Sequence, residues 1–178
     1  MAVREVRQLG DPVLREVAMP VTDPGAPEIA ELIDDLRDTL AHWKATTGYG
    51  RGIAAPQIGV LKRVVFLNID GQTPWPMINP ELVVRSDEMM TVWDGCLSFL
   101  TIFFETQRHC TVTLRYQDQS GDWHEHAADC GLSELLQHEV DHLDGILALD
   151  RLTDTRTIIS RQEFEKRYLA NSPYARSH

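Results

Sequence analysis

The sequence predicts an α+β domain, and three observations support that class. Helical periodicity runs from Ile29 to about Lys44. A second apolar helix contains the five residues from His138 to His142, and a third helical stretch lies near the C-terminus. Several short stretches with the apolar or alternating pattern of β-strands complete the chain. One early, one central and one late helix combined with several strands give an α+β domain.

Composition limits the classes of function that the chain can have. Its 178 residues, of which 43% are hydrophobic, suit one compact domain spanning residues 1–178. A net charge of −10 argues against a nucleic acid or a membrane surface as partner. We also expect no transmembrane helix and no secretion signal, because no long apolar run occurs. Three cysteines are a poor basis for a disulfide framework, so we expect the protein to be cytoplasmic.

The early helix is preceded by an extended, turn-rich segment from Met1 to Thr22 and by a loop at residues 23–27. Acidic residues are concentrated in the first half of the helix, where they suit the helix dipole. Its apolar face is formed by Ile29, Leu32, Ile33, Leu36, Leu40 and Trp43. This helix is predicted to be scaffold.

The middle of the chain is predicted to be mostly extended. Predicted strands or extended pieces are 64–69, 77–80, 82–84, 89–93, 110–116 and 123–128. Turns are predicted at Asp70-Gly71, in the region of Pro74 and Pro76, and at the hairpin 118–122. After the central helix we expect a short extended piece at Leu147–Leu149. A last helix is expected over Thr157–Leu169.

The central helix contains the most informative motif, His138-Glu139-Val140-Asp141-His142. Gly131 and Ser133 precede the motif as start signals, and Gly145 follows it as a stop signal. On a helix the two histidines stand one turn apart on one face, where they can hold one metal ion. A buried helix with merely hydrogen-bonded histidines is the alternative. The joint presence of the spacing and the interleaved acid favours the metal.

A catalytic metal needs a third protein ligand and an open position. Enzymes of the zincin class usually take that ligand from downstream, where Asp144, Asp150 and Asp154 are the candidates. Upstream, Cys96 lies in the segment Asp94-Gly95-Cys96-Leu97-Ser98 and is the better candidate. By itself it is weak evidence, because most free cysteines are small buried hydrophobic residues.

Three ordered segments together resemble the peptide deformylase family. The family carries G-x-G-x-A-A-x-Q, then E-G-C-L-S, then H-E-x-D-H. This chain has Gly50-Arg51-Gly52-Ile53-Ala54-Ala55-Pro56-Gln57, then the segment 94–98 with Asp in place of Glu, then the helix motif. The opening from Leu9 to Arg15 is also similar, and the resemblance extends from about Val6 to about Asp150.

The resemblance implies mainly antiparallel sheets around the metal helix. It implies that Cys96, His138 and His142 bind one divalent metal ion. Iron(II) is usual in the family, and zinc(II), nickel(II) and cobalt(II) are alternatives that the same ligands suit. We also expect Asp141 to pair with Arg108 and brace the helix.

The resemblance also implies the chemistry, which is removal of an N-formyl group from an amide nitrogen. Glu139 would act as general base on water and then as general acid to the leaving amine. The metal, the Gln57 side-chain amide and the backbone N–H of Leu97 would stabilise the oxyanion. Gly52 would allow the backbone of the substrate to approach closely.

Several departures from the family pattern lie near the expected substrate pocket. Arg51 stands where an aliphatic residue is usual, and Glu134 stands where the family has an apolar residue one turn before His138. Gly131 replaces a usual large aliphatic residue on the same wall. A carboxylate in an apolar pocket is costly unless it is paired. We therefore take Arg51 and Glu134 as substrate-binding residues that line or bridge a more polar pocket.

The leading prediction of function is a metal-dependent deformylase acting on N-formylmethionyl peptides. One alternative is a specialised deformylase for a polar or small-molecule N-formyl substrate in a dedicated pathway. A zincin-like peptidase and a catalytically inactive homologue are further alternatives. The sequence leaves the oligomeric state open.

Overall fold

The computed structural model describes residues 2–69, 72–172 and 174. Within them lie the α-helices α1 (Pro27–Thr47), α2 (Cys130–Leu143) and α3 (Arg161–Arg167). The strands are β1 (Gly52–Ala54), β2 (Val64–Leu67), β3 (Trp75–Arg85), β4 (Met89–Asp94), β5 (Ile102–His109), β6 (Thr111–Gln117), β7 (Trp123–Asp129) and β8 (Ile159–Ser160).

The strands form two antiparallel sheets. One sheet has five strands in the order β1-β2-β3-β6-β7, and the other has three in the order β4-β5-β8. Every pair of neighbouring strands in both sheets is antiparallel. The predicted α+β class with mainly antiparallel sheets is therefore confirmed.

Helix α2 lies between the two sheets. It packs against β1 of the larger sheet and against β5 of the smaller one. All its residues from Ser133 to Leu143 are buried, as expected of a helix enclosed on every side. The enclosure places the polar residues of the helix motif in the interior, where each of them needs a partner.

Helix α1 confirms the predicted scaffold helix and extends it at both ends. Pro27 occupies the first turn, where its missing N–H costs nothing, and Gly48 ends the helix with a φ of 80°. Its apolar face is buried except for Trp43, which is partly buried, and Leu36 and Leu40 are fully inaccessible to solvent. None of the helices within the described part of the chain has the length and apolar character needed to span a membrane.

Three predictions of local structure were wrong. Leu147–Leu149 is not extended, because Ala148–Arg151 forms a 3-10 helix. The last helix is shorter than predicted, because Ile159 pairs with Phe103 of β5 and the Ser160 side chain caps α3. The third error concerns the turn expected near Pro76.

That region is part of β3, which runs from Trp75 through both Pro76 and Pro80. The register with β6 shifts between Ile78 and Glu81, and Asn79 has a φ of 51°. An irregularity of this kind accommodates a proline that cannot donate to the sheet. The turn predicted at Asp70-Gly71 lies outside the described residues.

Candidate active site

Cys96, His138 and His142 form one cluster in the interior. Their ligand atoms lie within 4.8 Å of one another, and all three residues are buried. Cys96 Sγ is 3.2 Å from His142 Nε2. A thiol and two imidazoles at this separation are a suitable set of donors for a transition-metal ion.

The local structure explains how these three side chains meet. The two histidines are one turn apart on α2, so they project from the same face. Cys96 follows the end of β4 and precedes a short 3-10 helix, Leu97–Phe99. Because β4 belongs to the smaller sheet, packing of α2 against that sheet brings the cysteine to the histidines.

Asp94 orients one of the histidines. Its Oδ1 lies 2.9 Å from His138 Nδ1, and because a carboxylate only accepts, the imidazole donates through Nδ1. His138 Nε2 therefore remains available for the cluster. The Asp94 side chain also accepts from Arg108 Nη2 at 2.9 Å and from Thr106 Oγ1 at 3.2 Å. Asp94, with a side chain one methylene shorter than the Glu of the family motif, thus contacts the cluster directly.

Burial and neighbouring charges shift the pKa values of Asp94 and His138 in opposite directions. Burial alone would raise the pKa of Asp94, but His138 and Arg108 outweigh it and lower that pKa. Burial alone would lower the pKa of His138, yet the Asp94 carboxylate raises it well above its ordinary value. The pair is thus held by charge in a buried site.

Arg108 connects this pair to the far side of α2. Its Nη1 is 2.5 Å from Asp141 Oδ2, as the sequence led us to expect. Asp141 also accepts from Arg151 Nη2 at 2.8 Å. One buried guanidinium therefore links strand β4 to helix α2.

Glu139 lies beside the cluster with spare hydrogen-bonding capacity. Its Oε2 is buried and has no hydrogen-bond partner among the described residues. Burial raises the pKa of Glu139 to about 7, against the opposing charges of His138 and Arg51. An unpartnered carboxylate oxygen of this kind can take up and release a proton.

Gly52 allows Glu139 to occupy its position. A Cβ at Gly52 would lie 2.5 Å from Glu139 Oε1 and 2.7 Å from Leu67 Cδ2. A side chain at this position would therefore displace the carboxylate.

Gln57 presents the donor end of its amide to the cluster. Its Oε1 accepts from the backbone N–H of Ala54 at 2.9 Å, which fixes the orientation of the amide. Nε2 consequently faces Cys96 Sγ at 3.4 Å and Ser98 Oγ at 3.3 Å. Nε2 donates to both of these atoms, so an oxygen atom that enters the site would compete with them for its N–H groups.

A small cavity of about 30 Å³ adjoins the cluster. Eight of the nine predicted site residues line it: Arg51, Gly52, Gln57, Cys96, Leu97, Glu134, His138 and Glu139. His142, the ninth, completes the cluster behind this wall.

Arg51 and Glu134 form an ion pair in the wall of the cavity. Arg51 Nη2 lies 2.9 Å from Glu134 Oε2 and 3.2 Å from Oε1. The side chain of Glu134 is 1% exposed and that of Arg51 is 18% exposed. The two departures in sequence therefore compensate each other.

Sequence reasoning missed Tyr174, which also lines the cavity. Its ring covers the Arg51 guanidinium at 4.6 Å. Its hydroxyl accepts from the N–H of Gly95 at 2.9 Å and donates to the carbonyl of Gly95 at 3.0 Å. No motif or periodicity around residue 174 indicates this contact, which depends on how the C-terminal segment folds back.

Comparison with known proteins places the chain in a family. A sequence profile described as polypeptide deformylase matches residues 3–157. The chain belongs to this family. A peptide deformylase of Bartonella tribocorum is 37% identical over 173 residues, covering 94% of each chain. One of Parafrankia is 43% identical over 152 residues, covering 85% of this chain and 80% of its own.

Solved structures of deformylases share the fold. The peptide deformylase of Thermotoga maritima superposes with a TM-score of 0.80 at 34% identity, covering 86% of this chain and all of its own. A deformylase of Acinetobacter baumannii solved with Met-Ala-Ser bound has a TM-score of 0.78 at 29% identity, covering 85% of this chain and 99% of its own.

Membership in this deformylase family gives the activity. The chain is a metal-dependent hydrolase that removes N-formyl groups from peptides. The predicted family, fold and enzyme class are confirmed. The comparisons give no support to a specialised deformylase for a polar or small-molecule N-formyl substrate, a zincin-like peptidase or an inactive homologue.

Proposed function

We propose that Cys96, His138 and His142 hold the metal ion of this deformylase, and that the ion is iron(II). Zinc(II), nickel(II) and cobalt(II) suit the same thiolate and imidazole ligands. The proximity of the three ligand atoms supports this assignment, as does the bond from His138 Nδ1 to Asp94. Second-shell carboxylates of this kind orient histidine ligands of metals. When bound, such an ion polarises a carbonyl and lowers the pKa of a water molecule.

Glu139 is proposed as the proton carrier. In hydrolysis, water adds to the formyl carbon, the bond from that carbon to nitrogen breaks, and formate and a free amine leave. Glu139 takes the proton from the water and delivers it to the amine nitrogen. The single observation that carries this role is its buried Oε2 without a partner among the described residues.

Gln57 and Leu97 are proposed to stabilise the oxyanion. The amide of Gln57 is fixed by Ala54, so its N–H groups already face the cluster before substrate binds. Donors held in place in this way stabilise a developing negative charge without reorganisation. Leu97 follows Cys96 directly and lines the same cavity, so we assign its backbone N–H the same task.

Gly52, Arg51 and Glu134 are proposed to contact the substrate. All three line the cavity beside Glu139. A substrate whose formyl carbon reaches the cluster has to place its next groups against this wall. Gly52 leaves room for the substrate backbone, because it adds no side chain between β1 and Glu139.

We further propose that residues 1–178 form one domain that acts in the cytoplasm on N-formyl peptides. A net charge of −10 disfavours nucleic acid and anionic membrane surfaces as partners. The three cysteines, all unpaired, agree with a reducing compartment.

The test is formate release from formyl-Met-Ala-Ser by protein loaded anaerobically with iron(II). Glu139→Ala should retain the metal and lose about 10²–10⁴-fold in rate, because general acid–base catalysis contributes that much. Cys96→Ala should lose the metal itself, measured by elemental analysis. Full activity of Glu139→Ala, or full metal content of Cys96→Ala, would contradict the assigned roles.

A further inference from the structure

Two cysteines that the hydrolysis does not use meet where β7 passes into α2. Strands β6 and β7 pair as far as Thr111 and Asp129, so Cys110 and Cys130 are the next two residues in the same register. The backbone N–H of Cys130 donates to the carbonyl of Cys110 at 3.1 Å, which continues the pairing by one step. The two residues are therefore direct neighbours across the strands although they lie far apart in sequence.

The spacing of this pair suits a disulfide bond. The Cα atoms of a hydrogen-bonded antiparallel pair lie about 5.5 Å apart, and disulfides join residues whose Cα atoms are about 4.4–6.8 Å apart. Burial, the charge of Glu88 and the charge of Cys130 together raise the pKa of the Cys110 thiol. The last of these influences requires the two thiols to lie close together. Both cysteines are free, so a bond between them would form by oxidation.

Hydrogen bonds beside the pair hold both cysteines in place. In the first turn of α2, Ser133 Oγ donates to the carbonyl of His109 at 2.8 Å. Gln137 Oε1 accepts from the N–H of His109 at 2.9 Å, and Gln137 Nε2 donates to its carbonyl at 3.0 Å. The beginning of α2 is thus already fastened to the residue before Cys110. A disulfide can therefore form without moving the helix that carries the two histidines of the cluster.

The two thiols differ in accessibility, and this difference gives the order in which they react. Cys130 is exposed, whereas Cys110 is partly buried. The thiolate is the reactive form of cysteine, and the raised pKa of Cys110 keeps more of that thiol protonated. An oxidant in solution therefore reaches Cys130 first, and Cys110 reacts second.

We propose that Cys110 and Cys130 are a modification site, at which peroxide forms a reversible disulfide that fastens the start of α2 to the residue preceding β6. The Cys130 thiolate attacks one oxygen of hydrogen peroxide and becomes a sulfenic acid, while the O–O bond breaks and hydroxide leaves. The Cys110 thiolate then attacks the sulfenic sulfur, forms the S–S bond and displaces a second hydroxide. With the two protons that the thiols release, two water molecules form for each peroxide consumed. A dithiol reductant reverses the bond by thiol–disulfide exchange.

The test treats zinc-loaded, full-length protein with hydrogen peroxide and maps the products by mass spectrometry. Zinc is used because it has no redox chemistry, so peroxide does not oxidise the metal. Free thiols are then blocked, and the protein is digested with trypsin without reduction. The cleavage sites around the three cysteines are Arg85, Arg108, Arg115 and Arg151. Each cysteine therefore lies in a different peptide. We expect one linked product, 109–115 joined to 116–151, which dithiothreitol separates.

Variants assign the order of reaction and the effect on the fold. Cys110→Ser should abolish the link and leave Cys130 as a sulfenic acid, which dimedone labels. Thr111→Ser is the matched control, because it alters the exposed residue beside Cys110 and keeps both thiols. This control should form the link as readily as the wild type. Oxidation should raise the melting temperature of the wild type by about 5 °C, since a disulfide restricts the unfolded chain, and should not raise that of Cys110→Ser.

Four results would overturn the inference. If peroxide oxidised Cys130 to a sulfenic or higher acid in the wild type without any link, the two thiols would not meet. A link that includes peptide 86–108 would make Cys96 the partner. A link between two copies of 116–151 would mean that Cys130 pairs between molecules. An unchanged melting temperature in the linked protein would show that the bond does not fasten α2. None of these measurements uses formate release, so their failure leaves the proposed function untouched.

Discussion

At the scale of single residues, Asp94 connects the metal-ligand cluster to the scaffold. Its buried carboxylate contacts His138 on one side and Arg108 on the other. We expect Asp94→Asn to lower the free energy of unfolding by about 3–5 kcal/mol, because Arg108 loses one partner of a buried ion pair. Metal affinity should fall about 10–100-fold, since the histidine loses the carboxylate that orients it. Urea unfolding and a competition assay with a metal chelator measure these effects.

Asp94→Glu is the matched control, because it restores the residue of the family motif and keeps the charge. It should retain most of the metal affinity that the asparagine variant loses. If Asp94→Asn bound metal and resisted urea as well as the wild type, the carboxylate would have no orienting role.

Gly52 controls the position of the neighbouring carboxylate. In Gly52→Ala, the added methyl group would overlap Glu139 Oε1 and force it to move. A displacement of about 1 Å at a catalytic group can cost roughly 10²-fold in rate. We therefore expect kcat for formate release to fall by about that factor while the metal content stays unchanged.

Gly25→Ala tests whether the loss is local. A Cβ at Gly25 would make only ordinary contacts, at 3.5 Å from Gln119 O and 3.6 Å from Asp23 Oδ1. The kcat of Gly25→Ala should equal that of the wild type. Unimpaired turnover by Gly52→Ala would show that Glu139 tolerates displacement.

At the scale of elements, α3 supports the turn that carries Cys96. Phe164 of α3 is fully buried and stacks on Phe103 of β5, with ring centroids 4.0 Å apart. The ring of Phe103 lies against Gly95, since a Cβ on that glycine would collide with it. This short helix therefore holds one side of the turn next to the cluster.

Removing the aromatic ring from α3 should be costly. We expect Phe164→Ala to lower the free energy of unfolding by about 3–5 kcal/mol, the usual range for a buried phenylalanine. Tyr168→Ala provides the comparison. Because Tyr168 is 39% exposed, this substitution should lower the free energy of unfolding by less. If urea unfolding gave equal losses of unfolding free energy for the two variants, Phe164 would not be the residue that holds α3.

The same scale shows which elements the sequence could predict. Helices α1 and α2 were predicted because their apolar positions recur locally along the chain, although the bounds of α1, Pro27–Thr47, lie beyond the predicted ones. The start of α3 was wrong because Ile159 pairs with β5, a contact between residues far apart in sequence. Local patterns do not contain that information.

The same distinction applies to the site. The spacing of His138 and His142 together with the interleaved Glu139 indicates a metal, whereas Cys96 became a convincing third ligand only through resemblance to the deformylase motifs. The Arg51–Glu134 pair was foreseen as two anomalies near one pocket. The sequence did not predict that the two charges neutralise each other, because their contact depends on how β1 packs against α2.

At the scale of the whole molecule, the C-terminal segment restricts the site. The cavity has room for little more than water while Tyr174 remains bonded to Gly95. A formyl peptide must therefore displace the tyrosine. We expect Tyr174→Phe to lower KM about tenfold with little change in kcat, since the two lost hydrogen bonds each contribute about 0.5–1.5 kcal/mol to the closed form.

Steady-state kinetics of formate release tests this expectation. Tyr168→Phe is the control, because it alters a tyrosine of the same segment whose ring packs on Trp93 instead of the cavity. An unchanged or higher KM in Tyr174→Phe would mean that the hydroxyl does not compete with substrate.

The residues that line the cavity span the chain from Tyr49 to Tyr174. Tyr174 is the last of these residues along the chain, and its hydroxyl bonds the turn at Gly95 next to Cys96. A fluorophore or spin label in the segment that carries Tyr174 would therefore report on the entrance of the site although this segment supplies no metal ligand.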